Sequence, residues 1–120
     1  MNTIEKYEFF HDWYLTGISA DLTGGTVELA LMFDDREKRA RLLFKGASRC
    51  LVNDFLIQNI ISEVRILTDH STHDYGRALD ALEKSYFGKA SGAPKPIAVF
   101  SATLGAELLI EFETLEIDAA

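Results

Sequence analysis

The sequence predicts an α+β domain in which a bent antiparallel sheet of about six to seven strands packs against one main helix, at about residues 72–87. Three observations favour this class. Most of the chain alternates apolar and polar residues with a period of two, and one later segment changes to a spacing of three and four. No repeat or linker divides the 120 residues. We therefore expect residues 1–120 to form a single α+β domain.

Period-two alternation predicts five strands in the first part of the chain, over residues 13–22, 27–33, 39–45, 49–52 and 59–67. Such alternation is typical of antiparallel strands that bury one face. Gly24 and Gly25 lie between the first two strands and supply the positive φ angles of a tight turn. A four-residue loop, Asp35 to Lys38, would join the next two strands. It predicts these opposite pairs: Leu29–Phe44, Leu31–Leu42, Asp34–Arg39 and Glu28–Lys45.

After Thr68 the apolar residues fall on one stripe of a helix, at Tyr75, Ala78, Leu79, Leu82 and Tyr86. Ser71 with Asp74 resembles a capping box that begins this helix, and Gly88 can end it. Residues 97–102 and 107–117 then predict two final strands joined by residues 103–106. Residues 2–12 leave two alternatives open, because their apolar residues suit either a short helix or a strand.

Charge excludes some classes of partner. The chain carries 12 basic and 19 acidic residues, for a net charge of −7, and six of the basic residues lie between Arg36 and Arg49. A field that is negative elsewhere repels nucleic acid and anionic membranes and favours a basic protein partner. Cross-strand pairing would neutralise part of the basic stretch, which leaves too few cations for strong phosphate binding. We expect no nucleic-acid and no membrane partner, and a cytoplasmic location, because no apolar run is long enough to span a bilayer.

Candidate catalytic groups are few. His70 and His73 lie beside Asp69 and Asp74, but their spacing supplies no third fixed ligand for zinc, and turn or cap hydrogen bonding explains these residue types as well. His11-Asp12 could suggest an acid–base pair or a metal-binding dyad, but the sequence shows no further His and Asp residues placed to complete such a site. Cys50 is the only cysteine, has no paired nucleophile or base, and suits a buried strand. We therefore expect no enzyme activity, no cofactor and no metal site.

Two features favour a surface that binds protein. Five of the 13 aromatic residues lie between Tyr7 and Tyr14, and Trp and Tyr are common interface anchors. In the last strand, acidic residues and leucines share one parity and would form an outward face, while Leu108, Ile110 and Phe112 face the core. The candidate partner-binding residues are Trp13, Tyr14, Glu107, Leu109, Glu111, Glu113 and Leu115.

Residues 11–67 resemble small single-domain bacterial proteins that include immunity proteins encoded beside toxins. The resemblance is carried by His11-Asp12, the alternating strands, Leu43-Phe44-Lys45-Gly46 and Asn59-Ile60-Ile61. It implies a protein that binds and neutralises one cognate toxin domain, typically a basic nuclease. The alternative is a structural or assembly subunit without catalytic activity, which pairs with itself through sheet edges as a homodimer.

Overall fold

The computed structural model describes residues 10–88 and 92–119. The described residues contain one helix and eight strands. In chain order these are β1 (Tyr14–Asp21), β2 (Thr26–Met32), β3 (Arg39–Lys45), β4 (Arg49–Asn53), β5 (Ile60–Leu67), α1 (His73–Ser85), β6 (Ile97–Leu104), β7 (Glu107–Glu111) and β8 (Thr114–Ala119). Within these residues no helix is long and apolar enough to span a membrane. The α+β class and the single main helix are confirmed.

All strands belong to one antiparallel sheet in the order β4-β7-β6-β5-β1-β2-β3-β8. The sheet has two four-stranded halves. They are joined in the middle by a narrow contact, because β1 pairs with β5 only at Tyr14 and Ile60. Each half packs its apolar face on the other, and period-two alternation supplies that face in every strand.

A corner also joins the two halves. It consists of residues 46–48, which carry β3 into β4, and residues 112–113, which carry β7 into β8. Lys45 pairs with Thr114 before the corner and Arg49 pairs with Glu111 after it, so three residues stand opposite two, as in a β-bulge. Gly46 has a φ of 63° and lies so close to Glu113 that a Cβ atom would meet its carboxyl carbon at 2.6 Å. The positive φ angle favours glycine there.

The main core lies between the two halves of the sheet. Phe44 is fully buried at its centre, with its ring centroid 4.9 Å from that of Phe112 and 6.2 Å from that of Phe100. Trp13 packs at one end against Phe10, with ring centroids 5.2 Å apart. The predicted inward residues Leu29, Leu31, Ala40, Leu42, Leu108 and Ile110 are all buried.

Helix α1 covers the outer face of the β4–β7–β6–β5 half. Its buried residues are Tyr75, Ala78 and Leu82, and they pack against Ile97 of β6 together with the partly buried Leu51, Leu67, Val99 and Leu109. The hydroxyl of Thr72 accepts a hydrogen bond from the backbone N–H of Tyr75, so Thr72 is the N-cap. The prediction of Ser71 as the cap was wrong, because Asp69 already accepts hydrogen bonds from the backbone and hydroxyl of Ser71.

The strand count and the last strand need correction. The sheet has eight strands where about six to seven were predicted, since residues 107–117 form two strands and not one. Phe112 and Glu113 interrupt them at the corner, and β7 and β8 then pair with different neighbours. Periodicity alone does not show such a break, because the alternation of apolar residues continues on both sides of it.

The pairing of β2 with β3 is shifted by two residues from the predicted register. Leu29 lies opposite Leu42, Glu28 opposite Leu43, and Arg39 opposite Met32. The N–H of Phe33 donates to the carbonyl of Lys38, so the four-residue loop is residues 34–37 and not 35–38. A shift of two residues leaves every side chain on its predicted face, so the apolar pattern does not distinguish the two registers.

Candidate protein-binding surface

Four large apolar side chains are exposed at one end of the molecule, which we call the apolar loop surface: Phe55, Leu56, Ile57 and Leu104. Their relative exposures are 49%, 46%, 106% and 43%. Three lie in the connection between β4 and β5, and the fourth ends β6, where it pairs with Ile60. Consecutive exposed apolar residues on one loop are unusual for a solvated surface and are typical of binding sites.

Asn59 holds this loop in place. Its side chain is buried, and its Oδ1 atom accepts hydrogen bonds of 2.9 Å from the backbone N–H groups of Leu56 and Ala106. Its Nδ2 atom donates to the carbonyls of Leu56, at 2.8 Å, and Leu15, at 3.3 Å. One side chain therefore ties the loop to β1 and to the β6–β7 turn. The apolar residues are presented on a fixed backbone, which reduces the entropy lost on binding.

The β6–β7 turn depends on glycine for the same arrangement. Gly105 has a φ of 84°, and a Cβ atom on it would lie 2.3 Å from Oδ1 of Asn59. Both the backbone conformation and the close approach exclude a larger residue. Asp54 begins the loop with a φ of 60°, a conformation that aspartate tolerates better than most residues. The two positions with positive φ angles are thus occupied by residue types that tolerate this conformation.

The rim of the apolar loop surface is mainly acidic. Asp54 precedes Phe55, and Glu107 pairs with Asn53 at the end of β4. On another side, the hydroxyl of Tyr14 donates a hydrogen bond of 2.9 Å to Asp34, which raises the pKa of Tyr14 above its ordinary value. The side chain of Gln58 also hydrogen-bonds to this hydroxyl, and this bond and the charge of Arg36 act against the rise in its pKa.

Of the candidate binding residues from the sequence, only Glu107 and Tyr14 lie beside this surface. Trp13 is 3% exposed and belongs to the core. Leu109 lies under α1, and Leu115 packs partly against the main core. Glu113 is exposed at the corner, against Gly46. The expected continuous outward face is absent from the described residues, because α1 covers β7 and the chain bends before β8.

Glu111 was expected at the surface but is 3% exposed, in a buried ion pair that sequence reasoning missed. Its two carboxylate oxygens accept hydrogen bonds from Nε and Nη2 of Arg49, at 2.9 and 2.8 Å, and Ser48 donates at 2.6 Å. Burial raises the pKa of Glu111, but the hydrogen bonds from Arg49 and Ser48 outweigh it and hold the pKa below its ordinary value. The ion pair lies directly beside the corner and holds the two segments of the corner together.

The residues at the start of α1 are explained by local contacts, including the ring of His70 packed edge-on to that of Tyr75 with centroids 6.2 Å apart. Asp69 accepts hydrogen bonds from Ser71, as the turn interpretation predicts. Asp74 pairs with Arg65 of β5 at 2.9 Å, and this hydrogen bond lowers the pKa of its carboxyl. Near the start of β1, His11 contacts Asp12 at the surface. In the part of the chain that the structure describes, no group of three or more potential ligands forms a metal site.

No family model matches the chain, and no curated protein matches it.

Proposed function

We propose that this chain is a protein-binding protein without catalytic activity, which uses the apolar loop surface to bind a basic partner. The observation that carries the proposal is the apolar loop itself. Phe55, Leu56 and Ile57 remain exposed although the buried side chain of Asn59 holds the backbone of Leu56, at their centre, with two hydrogen bonds. A fixed backbone that presents exposed apolar side chains inside a polar rim resembles the anatomy of a protein interface.

Charge supports a basic partner. In the basic stretch, three cations are paired with carboxylates: Arg41 with Glu28, Lys45 with Glu116, and Arg49 with Glu111. Because these cations are paired, they add little positive potential at the surface, and the net charge of −7 gives the protein a mainly negative electrostatic field. Such a field accelerates association with a positively charged protein and disfavours nucleic acid. Asp34, Asp54 and Glu107 extend this field to the rim of the binding surface.

The specific form of the proposal is an antitoxin-like immunity protein that blocks a cognate toxin domain, of the basic nuclease type. Its support is the resemblance over residues 11–67, the acidic charge and the size of the chain. An inhibitor of this kind needs no active site of its own. It needs one rigid patch, complementary in charge and shape to the toxin.

The test uses two variants that remove equally exposed apolar side chains. Ile57→Ser alters the apolar loop surface, and Phe87→Ser alters a side chain that is 97% exposed beyond the end of α1. A phage-displayed library of fragments of the source genome is panned in parallel on the wild-type chain and on both variants. We expect basic fragments that are enriched on the wild type and on Phe87→Ser. Ile57→Ser should bind them roughly tenfold to hundredfold more weakly, because a buried isoleucine contributes about 1.5–3 kcal/mol.

Equal enrichment on all three proteins would show that the apolar loop surface is not the site, and no enrichment on any of them would refute a binding function. Light scattering of the chain alone tests the alternative. If the wild-type chain is a dimer and Ile57→Ser is a monomer, the apolar loop surface binds a second copy of the chain and not a different partner.

Enriched fragments are then expressed in a bacterial host, where we expect growth arrest that the co-expressed wild-type chain relieves and Ile57→Ser does not. Harmless fragments would refute the immunity function and leave the binding function standing.

A further inference from the structure

Within residues 10–88 and 92–119, β4 is an end strand of the sheet, and the side chain of Tyr86 covers its outer edge at Cys50. The hydroxyl of Tyr86 accepts a hydrogen bond from the backbone N–H of Cys50 and donates one to its carbonyl, both at 2.9 Å. These two groups therefore point away from β7, which pairs with β4 on its other side. Because backbone groups alternate along an antiparallel strand, the N–H and C=O of Val52 point to the same free edge. Tyr86 itself is 47% exposed, so solvent reaches this covering residue.

A groove runs beside this edge. Its floor and one wall are formed by residues 47–50 and Tyr86, and its other wall is the tip of the β1–β2 hairpin, residues 20–22 and 25–27. The N–H of Ala47 donates to the carbonyl of Gly25 at 2.8 Å, which holds the hairpin tip against the corner. Leu22, on the hairpin wall, is 98% exposed. The groove has a volume of about 180 Å³ and is open to solvent.

The groove carries negative charge from one exposed carboxylate. Asp21 lies exposed in the hairpin wall, where its Oδ1 atom accepts a hydrogen bond from the N–H of Gly24. The cation that lines the groove, Arg49, is buried and bonded to Glu111. The groove therefore presents one carboxylate whose charge is not balanced by Arg49. Apolar walls, a strand edge whose backbone groups at Cys50 are held by one half-exposed tyrosine, and a carboxylate are together suited to an extended peptide with a basic residue.

We propose that this groove binds an extended segment of a partner protein, which adds to the free edge of β4 as a further strand and places a basic residue beside Asp21. The segment replaces the Tyr86 hydroxyl at Cys50 and pairs with Val52. A single segment fits better than a second copy of the sheet, because the tip of the β1–β2 hairpin lines the groove beside this edge. This site is distinct from the apolar loop surface and does not depend on its function.

The probe is a fluorescein-labelled heptapeptide, KVTVTVK, which alternates apolar and polar residues and carries a lysine at each end. Its matched controls are the same peptide with N-methyl groups on alternate residues and the acidic peptide EVTVTVE. Binding is measured by fluorescence anisotropy, and backbone N–H exchange of the bound protein is followed by NMR. We expect KVTVTVK to bind and to slow exchange at Val52, and the two controls to bind at least about tenfold more weakly.

Two variants test the mechanism. Tyr86→Phe removes the competing hydroxyl and should tighten KVTVTVK binding roughly fivefold to tenfold, since two hydrogen bonds at Cys50 no longer have to be broken. Asp21→Asn retains an acceptor for the N–H of Gly24 and should weaken the binding of KVTVTVK without weakening that of the acidic peptide EVTVTVE. Circular dichroism checks that both variants fold.

Three results would overturn the proposal. The first is equal binding of the N-methylated peptide, which would exclude strand addition. The second is unchanged exchange at Val52 in the presence of bound KVTVTVK, which would place the peptide elsewhere. The third is a dimer of Tyr86→Phe in light scattering, which would make a second copy the occupant of the β4 edge.

Discussion

Replacing Glu111 with alanine should destabilise this protein severely, although the residue lies far from the apolar loop surface. The side chains of Arg49 and Glu111 are 7% and 4% exposed, and three hydrogen bonds converge on the carboxylate. Among the described residues, alanine leaves the buried Arg49 guanidinium with one hydrogen bond, a donation of 3.3 Å to the carbonyl of Gly88. No carboxylate in this part of the chain then accepts a hydrogen bond from it.

The expected loss follows from this geometry. Breaking a buried pair by removing one partner costs about 3–5 kcal/mol, because the remaining ion stays desolvated. A domain of this size has about 5–15 kcal/mol of stability in total. Glu111→Ala should therefore lose a large fraction of the free energy of unfolding. The corner should loosen first, since Ser48 belongs to it, Arg49 follows it directly, and both bond to Glu111.

Urea unfolding followed by circular dichroism measures this loss. The double variant Arg49→Met with Glu111→Leu serves as the first control, and it should lie within about 1 kcal/mol of the wild type, because apolar residues restore packing without a buried charge. Glu116→Ala serves as the second control. It breaks an ion pair with Lys45 whose side chains are 60% and 48% exposed, and it should cost less than about 1 kcal/mol. A loss below about 1 kcal/mol for Glu111→Ala would refute the reasoning.

The same pair predicts a dependence on pH. The pKa of Glu111 is lower in the folded protein than in the unfolded chain, so the folded state holds fewer protons on this group. Its contribution to stability is complete above the unfolded pKa, about 4.3, and is lost as the pH falls through the folded pKa below that value. Urea midpoints should therefore fall more steeply below about pH 4.3 for the wild type than for the apolar double variant. Parallel pH profiles for the two proteins would contradict this assignment.

Three further predictions concern the scaffold. Asn59→Ala should lose about 2–4 kcal/mol in urea unfolding, because it leaves the N–H of Ala106 without its partner, and an unchanged midpoint would exclude Asn59 as the anchor. Gly105→Ala should destabilise the chain by more than about 1 kcal/mol, whereas Gly76→Ala, with open space around it in α1, should stabilise the chain by about 0.5–1 kcal/mol. Thermal unfolding distinguishes the two variants, and equal midpoints would count against the geometry at Gly105. Thr72→Ala should cost about 1 kcal/mol in thermal unfolding if Thr72 is the N-cap, while Ser71→Ala, its matched control, should cost less.

Local pattern was sufficient for most elements of the fold. Alternation in β2 and β3 identified both strands and their buried residues, because the side of a strand that faces a core is set by parity. The apolar stripe of Tyr75, Ala78 and Leu82 likewise identified α1 and its buried face. These are short-range properties, and they do not depend on which elements become neighbours.

Local sequence pattern predicted the candidate sites less well than it predicted the strands and the helix. The apolar loop surface contains Phe55, Leu56 and Ile57 in a short run beside Asn53-Asp54, where the alternation visibly breaks. That break was a signal that three apolar residues lay outside a strand. Asn59 was a further sign, since a polar residue at the start of an apolar strand often bonds to the backbone. Neither signal shows by itself that the loop is held rigid, because Ala106 and Leu15 are distant in sequence.

The sequence by itself determined the α+β class, the helix, most strand positions and the inward face of each strand, because these depend on spacings of two and of three to four residues. Only the tertiary structure decided that β7 and β8 separate at the corner, that α1 covers the face of Leu109, and that Glu111 meets Arg49 across 62 residues of chain. It also decided the register of β2 with β3. The physical reason is that pairing and burial are properties of contacts between distant segments, and many such arrangements are compatible with one apolar pattern.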